Sequence, residues 1–213
     1  MIRWTIHAEN PQPRLVVQVV EALRSGAVLA LPTDAAYVFA ARVGDKAAAE
    51  RIRRLHGVEA DHQLSVLCAD LSELGTFSKV STSAFRLLKA LTPGPYTFIL
   101  PATREVPKRL QEPKKRSIGL RVPDHRVTLA LLRELGEPLV VATARVSGQE
   151  HPMSECWDIE EVAGHSLDGV VDAGAGLLDT TTVIDLTADE PVVLRQGVGS
   201  IDGLFDFGSQ EAL

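Results

Sequence analysis

"PQPRLVVQVVEALRSGAVLALPT", Pro11 to Thr33, carries two rhythms of apolar residues, and the change between them decides the fold. In the first, Leu15, Val16, Val19, Val20 and Leu23 recur at the spacing of one helical face, with Gly26 following as a stop. In the second, Ala27 to Leu31 run on without a polar residue up to Pro32. A short continuous apolar run is how a strand covered on both faces reads. An amphipathic helix beside a doubly buried strand points to a layered α/β domain.

The same alternation continues downstream. "DKAAAERIRRL" (Asp45–Leu55) predicts a helix with Asp45 as N-cap, and "LSVLC" (Leu64–Cys68) predicts a strand that includes Cys68. "TSAFRLLKALTPG" predicts a helix closed by Thr92, Pro93 and Gly94, and the aromatic and β-branched "YTFILPA" a strand. "SIGLRVP", "HRVTLALLREL" and "PLVVATA" read as strand, helix and strand. After a short helical stretch, "DIEEVAGHS", come three strands: "GVVDAG", "TTVIDLT" and "PVVLRQG", the last closing the sheet. The expectation is a single α/β domain with a mixed sheet over residues 8–206, flanked by termini at 1–7 and 207–213. Met1 to Glu9 and Phe207 to Leu213 are expected to be its loosest segments.

Composition narrows the functional classes. With 213 residues, 45% hydrophobic and 23% charged, the chain reads as an ordinary globular domain. A net charge of -6 supplies no global basic field for nucleic acid. Local basic runs remain at Arg51, Arg53 and Arg54 and at "PKKR", Pro113 to Arg116, as phosphate contacts or as solvated faces. Cys68 and Cys156 form no CxxC pair, and no leader or membrane-spanning run is visible, so a reduced cytoplasmic protein without a membrane anchor is expected.

Common catalytic signatures are absent. There is no GxxxxGK[ST], no GxGxxG after the first strand, and Ser147 does not sit in GxSxG. "GAG" at Gly174 and "GVGS" at Gly197 serve turns more readily than phosphates. "RRLHGVEADHQLSVL" (Arg53–Leu67) gathers His56, Glu59, Asp61 and His62 as a catalytic cluster, a metal site or a solvated connection. Its spacing fits no zinc signature, and no metal site is assigned. Polar residues at strand ends are stronger candidates, because open α/β sheets bind ligands there. These are Thr33, Asp34 and Tyr37, then Ser117 and Arg121, then Thr143 and Arg145, and Arg195. Arginines so placed suit bidentate contact with a carboxylate or phosphate.

In chain order, "LPTDAAYVFA", "LTPGPYTFIL", "IGLRVPDH", "ELGEPLVVATARVSG" and "TTTVIDLT…PVVLRQGVGS" resemble the landmarks of the YrdC/TsaC family of threonylcarbamoyl-AMP synthases. The resemblance runs from about Val16 to Ser200 and is closest to the YciO branch, through "ENPQPRL", "CADLSEL", "AFRLLK", "EVPKRL" and "TTVIDLT". It implies a twisted mixed β-sheet with flanking helices and a large concave cleft. Family synthases join L-threonine, bicarbonate and ATP into threonylcarbamoyl-adenylate, which supplies the group placed on an adenosine of certain tRNAs. The implied ligands are an ATP- or AMP-like nucleotide, accompanied by magnesium, and a threonine-like small molecule, with no permanent cofactor. Implied macromolecular partners are tRNA or double-stranded RNA.

Carried over by position, Ser117 and Arg195 answer to nucleotide contacts, and Arg121, Thr181, Thr33 and Tyr37 to the threonine moiety. Other positions depart from the family. His56 and Val58 stand in place of a Lys-x-Arg pair, with Glu59 for a proline; Thr143 and Arg145 stand in place of a Ser-x-Asn pair. His62 replaces an ATP-contacting asparagine, and Ala35 a threonine-contacting threonine. His56, Thr143 and Arg145 are thus the catalytic candidates, and Thr143 and His62 join the nucleotide contacts. Three functions follow: a YciO-like protein that binds nucleotide or tRNA and works near tRNA threonylcarbamoyladenosine, an active threonylcarbamoyl-adenylate synthase, or a non-catalytic binder of double-stranded RNA.

Overall fold

The computed structural model describes residues 1–57 and 64–202. Within it the opening stretch folds as read. Helix α1 spans Pro13–Arg24 and buries Val16, Val19, Val20 and Leu23, with Pro13 in its first turn where a missing N–H costs nothing. Strand β2, Leu29–Leu31, is buried at every residue. Helix α2 (Lys46–His56) is capped by the Asp45 carboxylate, which accepts from the N–H of Ala48, and stops at Gly57, whose φ of 67° is the left-handed conformation glycine tolerates.

The remaining elements are β1 (Ile2–Thr5), β3 (Val38–Arg42), β4 (Ser65–Leu67), α3 (Leu71–Phe77), α4 (Thr82–Leu91), β5 (Tyr96–Pro101) and β6 (Ser117–Arg121). They continue with α5 (Arg126–Leu135), β7 (Leu139–Thr143), α6 (Cys156–Ala163), β8 (Gly169–Asp172), β9 (Thr182–Asp185) and β10 (Val192–Arg195). A single sheet runs in the order β1-β8-β2-β3-β7-β4-β6-β5-β9-β10. It is mixed: β4 pairs parallel with β6 and β5 parallel with β9, while β3–β7 and β5–β6 are antiparallel. Among the described residues, no helix is long and apolar enough to cross a membrane.

Strand alternation divides the core between the two faces of the sheet. On one face Phe39, Val66, Phe98, Leu100 and Leu120 pack with Ile52 of α2, Leu87 and Leu88 of α4 and Ile159 of α6. On the other, Leu29, Leu31, Ala40, Leu67 and Leu139 pack with Val19, Val20 and Leu23 of α1 and Leu131 and Leu132 of α5. Helices α1 and α5 reach only part of this second face. Among the described residues, none of β5, β6, β9 or β10 belongs to that second core. Among the described residues, no helix packs over that half of the second face.

Four local features differ from the sequence expectation. Residues 1–7, expected as a loose flanking terminus, contain β1, which pairs in parallel with β8 from Ile2 against Gly169 to Thr5 against Asp172. Trp4 is buried and Arg3 bonds the Asp172 carboxylate at 2.6 Å, contacts that join opposite ends of the chain. Strand β3 pairs with both β2 and β7, although its "VFAAR" contains two alanines of low strand propensity. Helix α3 is fixed by Asp70 accepting from Glu73 N–H and by the Glu73 carboxylate accepting from Ala69 N–H, a reciprocal cap. Cys68 lies one residue past β4 and is fully buried, its N–H bonded to the Arg121 carbonyl at 2.8 Å.

Candidate functional site

On the uncovered half of the sheet lies a cavity of about 670 Å³. Ser65 of β4, Thr97 and Ile99 of β5, Gly119 of β6 and Val141 of β7 line it with Thr181 and Val183 at β9. These are the strand residues whose side chains alternate away from the large core. The small residues among them, Gly119 and Ser65, make the depth. A Cβ added at Gly119 would stand 2.8 Å from Ser65 Oγ, closer than packed atoms allow. The hydroxyls of Thr97 and Thr181 bond each other at 2.8 Å between β5 and the entry to β9, so these two polar groups of the lining satisfy one another.

Arg121, the last residue of β6, faces this cavity and is only 4% exposed. One guanidinium nitrogen, Nη2, donates to the Asp34 carboxylate and, at 3.2 Å, to Thr33 Oγ1. The Thr33 hydroxyl in turn donates to the Ala36 carbonyl at 2.7 Å and accepts from Ala35 N–H at 3.1 Å. Burial pushes the Arg121 pKa down, and Asp34 opposes that fall by favouring the charged form. Two polar atoms of the pair remain unsatisfied inside the protein: Nε of Arg121 and Oδ2 of Asp34. Buried orphans of this kind are uncommon, and among the described residues nothing bonds them.

Two more arginines line the space. Arg145 follows β7 on a segment pinned by Ala144, whose N–H donates to the Tyr37 carbonyl at 2.7 Å and whose carbonyl accepts from Met153 N–H at 2.8 Å. Arg195 ends β10 and donates to the Thr181 carbonyl from Nε at 3.3 Å and Nη2 at 3.1 Å. Close approach of Gly197 to this same backbone holds the end of β10 in place: a Cβ there would fall 2.1 Å from the Thr180 carbonyl oxygen. Burial, and then the charge of Arg145, pull the Arg195 pKa below its ordinary value.

Six of the nominated residues come together here: His56, Arg121, Thr143, Arg145, Thr181 and Arg195 all line the cavity. Four do not. Thr33 and Asp34 sit behind Arg121 and hold it. Tyr37 is fully buried, donates its hydroxyl to the Gly174 carbonyl at 2.8 Å and lies 3.4 Å from Cys156 Sγ; burial drives its pKa far up, and it anchors structure rather than ligand. Ser117 is buried at the start of β6, where its carbonyl accepts from Glu112 N–H at 2.8 Å. Val58, Glu59, Asp61 and His62 lie outside the described residues.

Sequence alone did not nominate Glu112, Glu150, His151 or Asp179, which also line the cavity. Glu150 and His151 belong to the loop after β7, a few residues beyond Arg145, and loop position at a strand end was their available signal. Thr181 precedes its strand rather than ending it, because β9 runs parallel to β5 and enters the sheet at the cavity. Among the described residues, no group of three or more histidine, cysteine or acidic side chains is placed to hold a metal ion.

The sequence profile of the Sua5, YciO and YrdC family, described as telomere recombination, matches residues 21–197. The chain is 44% identical to the uncharacterized protein YciO of Escherichia coli K12 over 196 residues, covering 92% of this chain and 95% of that one. It superposes on the crystal structure of E. coli YciO with a TM-score of 0.91 at 43% identity, covering 95% and 98% of the two chains. A threonylcarbamoyl-AMP synthase of Bacillus subtilis is 33% identical over 198 residues, which is 90% of this chain and 55% of that enzyme. The crystal structure of Pyrococcus abyssi Sua5 complexed with L-threonine matches with a TM-score of 0.89 at 27% identity, covering 97% of this chain and 61% of that one.

Proposed function

The chain belongs to the Sua5, YciO and YrdC family, and on that premise we propose that its cavity binds an adenosine-containing ligand with a threonylcarbamoyl-type group. The protein then acts in or near tRNA threonylcarbamoyladenosine metabolism. The observation that carries this reading is the convergence of Arg121, Thr181 and Arg195 on one cavity. By resemblance these positions serve threonine and nucleotide, and the threonine complex of P. abyssi Sua5 and the name of the B. subtilis synthase support that chemistry. Arg121, with a buried Nε still to be bonded, suits the carboxylate of a threonyl group.

Efficient synthesis of the adenylate is disfavoured. A carbamate attacking the α-phosphate of ATP brings several negative charges together, and catalysis of that step depends on fixed cations aimed at them. His56 and Val58 stand where the resemblance places a lysine and an arginine. Losing one such charge-assisted contact slows a phosphoryl step by roughly 10²-fold or more. Hydrolysis or transfer of a threonylcarbamoyl group already attached to adenosine involves no triphosphate and makes fewer demands. His56, at the end of α2 and on the cavity wall, is the acid or base for it. By the family resemblance, magnesium would accompany a nucleotide.

A thermal-shift panel of ATP, AMP, L-threonine and threonylcarbamoyladenosine tests the reading. Threonylcarbamoyladenosine should raise the melting temperature in proportion to the logarithm of its concentration over Kd. Pyrophosphate release dependent on threonine and bicarbonate, at a rate matching a family synthase, would replace this reading with synthesis.

A further inference from the structure

The three arginines of the cavity are not electrically equivalent. Arg121 is paired with Asp34. Glu112, Glu150 and Asp179 share the lining with Arg145 and Arg195, yet among the described residues no ion pair joins either arginine to a carboxylate. The Thr181 carbonyl aims Arg195 without cancelling its charge, and no side-chain hydrogen bond is made by Arg145 among the described residues. Two like charges in one partly desolvated space repel, and an anion bridging them relieves that repulsion. The planar forks of two guanidiniums suit a phosphate in particular.

We propose that Arg145 and Arg195 form a clamp for one phosphate group, so that the protein takes a nucleoside bearing a single phosphate, free or within a polynucleotide, in preference to a nucleoside triphosphate. The nucleoside half of this ligand rests on the function proposed above; the clamp itself requires only the phosphate. Selectivity follows from charge. Beyond the two clamp residues the described lining offers no unpaired arginine or lysine, while Glu112, Glu150 and Asp179 add negative charge. A second and third phosphate would meet repulsion rather than fixed cations. Thr181 ties the two ends of the site together, its carbonyl aiming Arg195 and its hydroxyl bonding Thr97 in the cavity.

Calorimetric titration of the full chain with inorganic phosphate, adenosine, AMP, magnesium-free ATP and a short adenosine-containing RNA tests the clamp. AMP should bind about tenfold or more tighter than adenosine, and tighter than ATP. Arg145→Gln and Arg195→Gln should each abolish the advantage of AMP over adenosine and weaken inorganic phosphate, with circular dichroism showing both variants folded. RNA that competes with AMP and depends on Arg145 would identify the phosphate as a phosphodiester; competition by AMP alone would identify a phosphomonoester. Loss of phosphate binding in Arg145→Gln, with no adenosine compound binding at all, would keep the clamp and remove the proposed nucleoside. Measurable but equal affinity for AMP and adenosine, preference for ATP, binding of neither phosphate nor AMP, or glutamine variants that keep the AMP advantage would overturn the clamp.

Discussion

Replacing Asp34 with alanine leaves Arg121 as an uncompensated charge inside the protein. The two side chains are 11% and 5% exposed, and the only other acceptor for the guanidinium among its described contacts is the neutral hydroxyl of Thr33 at 3.2 Å. Breaking a buried pair from one side costs about 3–5 kcal/mol, because the remaining ion keeps its desolvation penalty and loses its partner. With a urea dependence of about 2–3 kcal/mol per molar for a chain of this size, the unfolding midpoint should fall by roughly 1 to 2.5 M at an unchanged slope. Removing both charges in Asp34→Ala with Arg121→Met should be less damaging than the two single changes added together, by about 2 kcal/mol or more. The assay is equilibrium unfolding followed by fluorescence and circular dichroism on all four proteins. A loss below about 1 kcal/mol for Asp34→Ala, or strict additivity in the cycle, would refute the idea that this pair is a buried, coupled unit.

Three further outcomes are expected. Gly119→Val should cost about 1–3 kcal/mol through contact with Ser65 and Thr97 and weaken ligand binding about tenfold or more by raising the cavity floor; unchanged affinity would separate the floor from the binding site. His125 has a pKa below its ordinary 6.5, chiefly through burial, with Asp34, Asp124 and Glu9 opposing and Arg121 assisting. The unfolded chain therefore binds this proton first, and stability should be complete above about pH 6.5 and decline as pH falls towards the lower folded pKa; His125→Asn, which keeps the N-cap of α5, should flatten that slope in urea melts across this range. Burial raises the Cys156 thiol to about 11 and pushes Cys68 up as well, so a thiol reagent at mildly alkaline pH should label the native protein slowly and the denatured protein at once.

Much of the fold was legible because its signals are local. The face of α1, the Asp45 cap of α2 and the apolar run of β2 each lie within a few residues. What escaped depends on distant partners. Strand β1 exists because Gly169 admits Trp4 against the chain at β8: a Cβ at Gly169 would meet the indole at 2.3 Å. The two alanines of β3 acquire strand geometry from β2 and β7 on either side. At the site, strand-end position was enough to nominate Arg121, Thr143, Arg145 and Arg195. It did not distinguish Thr33, which aims an arginine, from a ligand contact, or Tyr37, whose hydroxyl closes on Gly174 far along the chain. The pairing of Arg121 with Asp34 joins residues remote in sequence and is set only by the folded sheet.

Titration of threonylcarbamoyladenosine into the wild-type chain is the most direct test of the central claim, that the cavity on the open half of the sheet receives a threonylcarbamoyl-bearing adenosine. Saturable one-to-one binding is expected, with competition by AMP and a marked loss of affinity when Thr181→Val removes the hydroxyl shared with Thr97 from the lining. Absence of binding at millimolar ligand, or binding that AMP does not displace and Thr181→Val does not weaken, would contradict it.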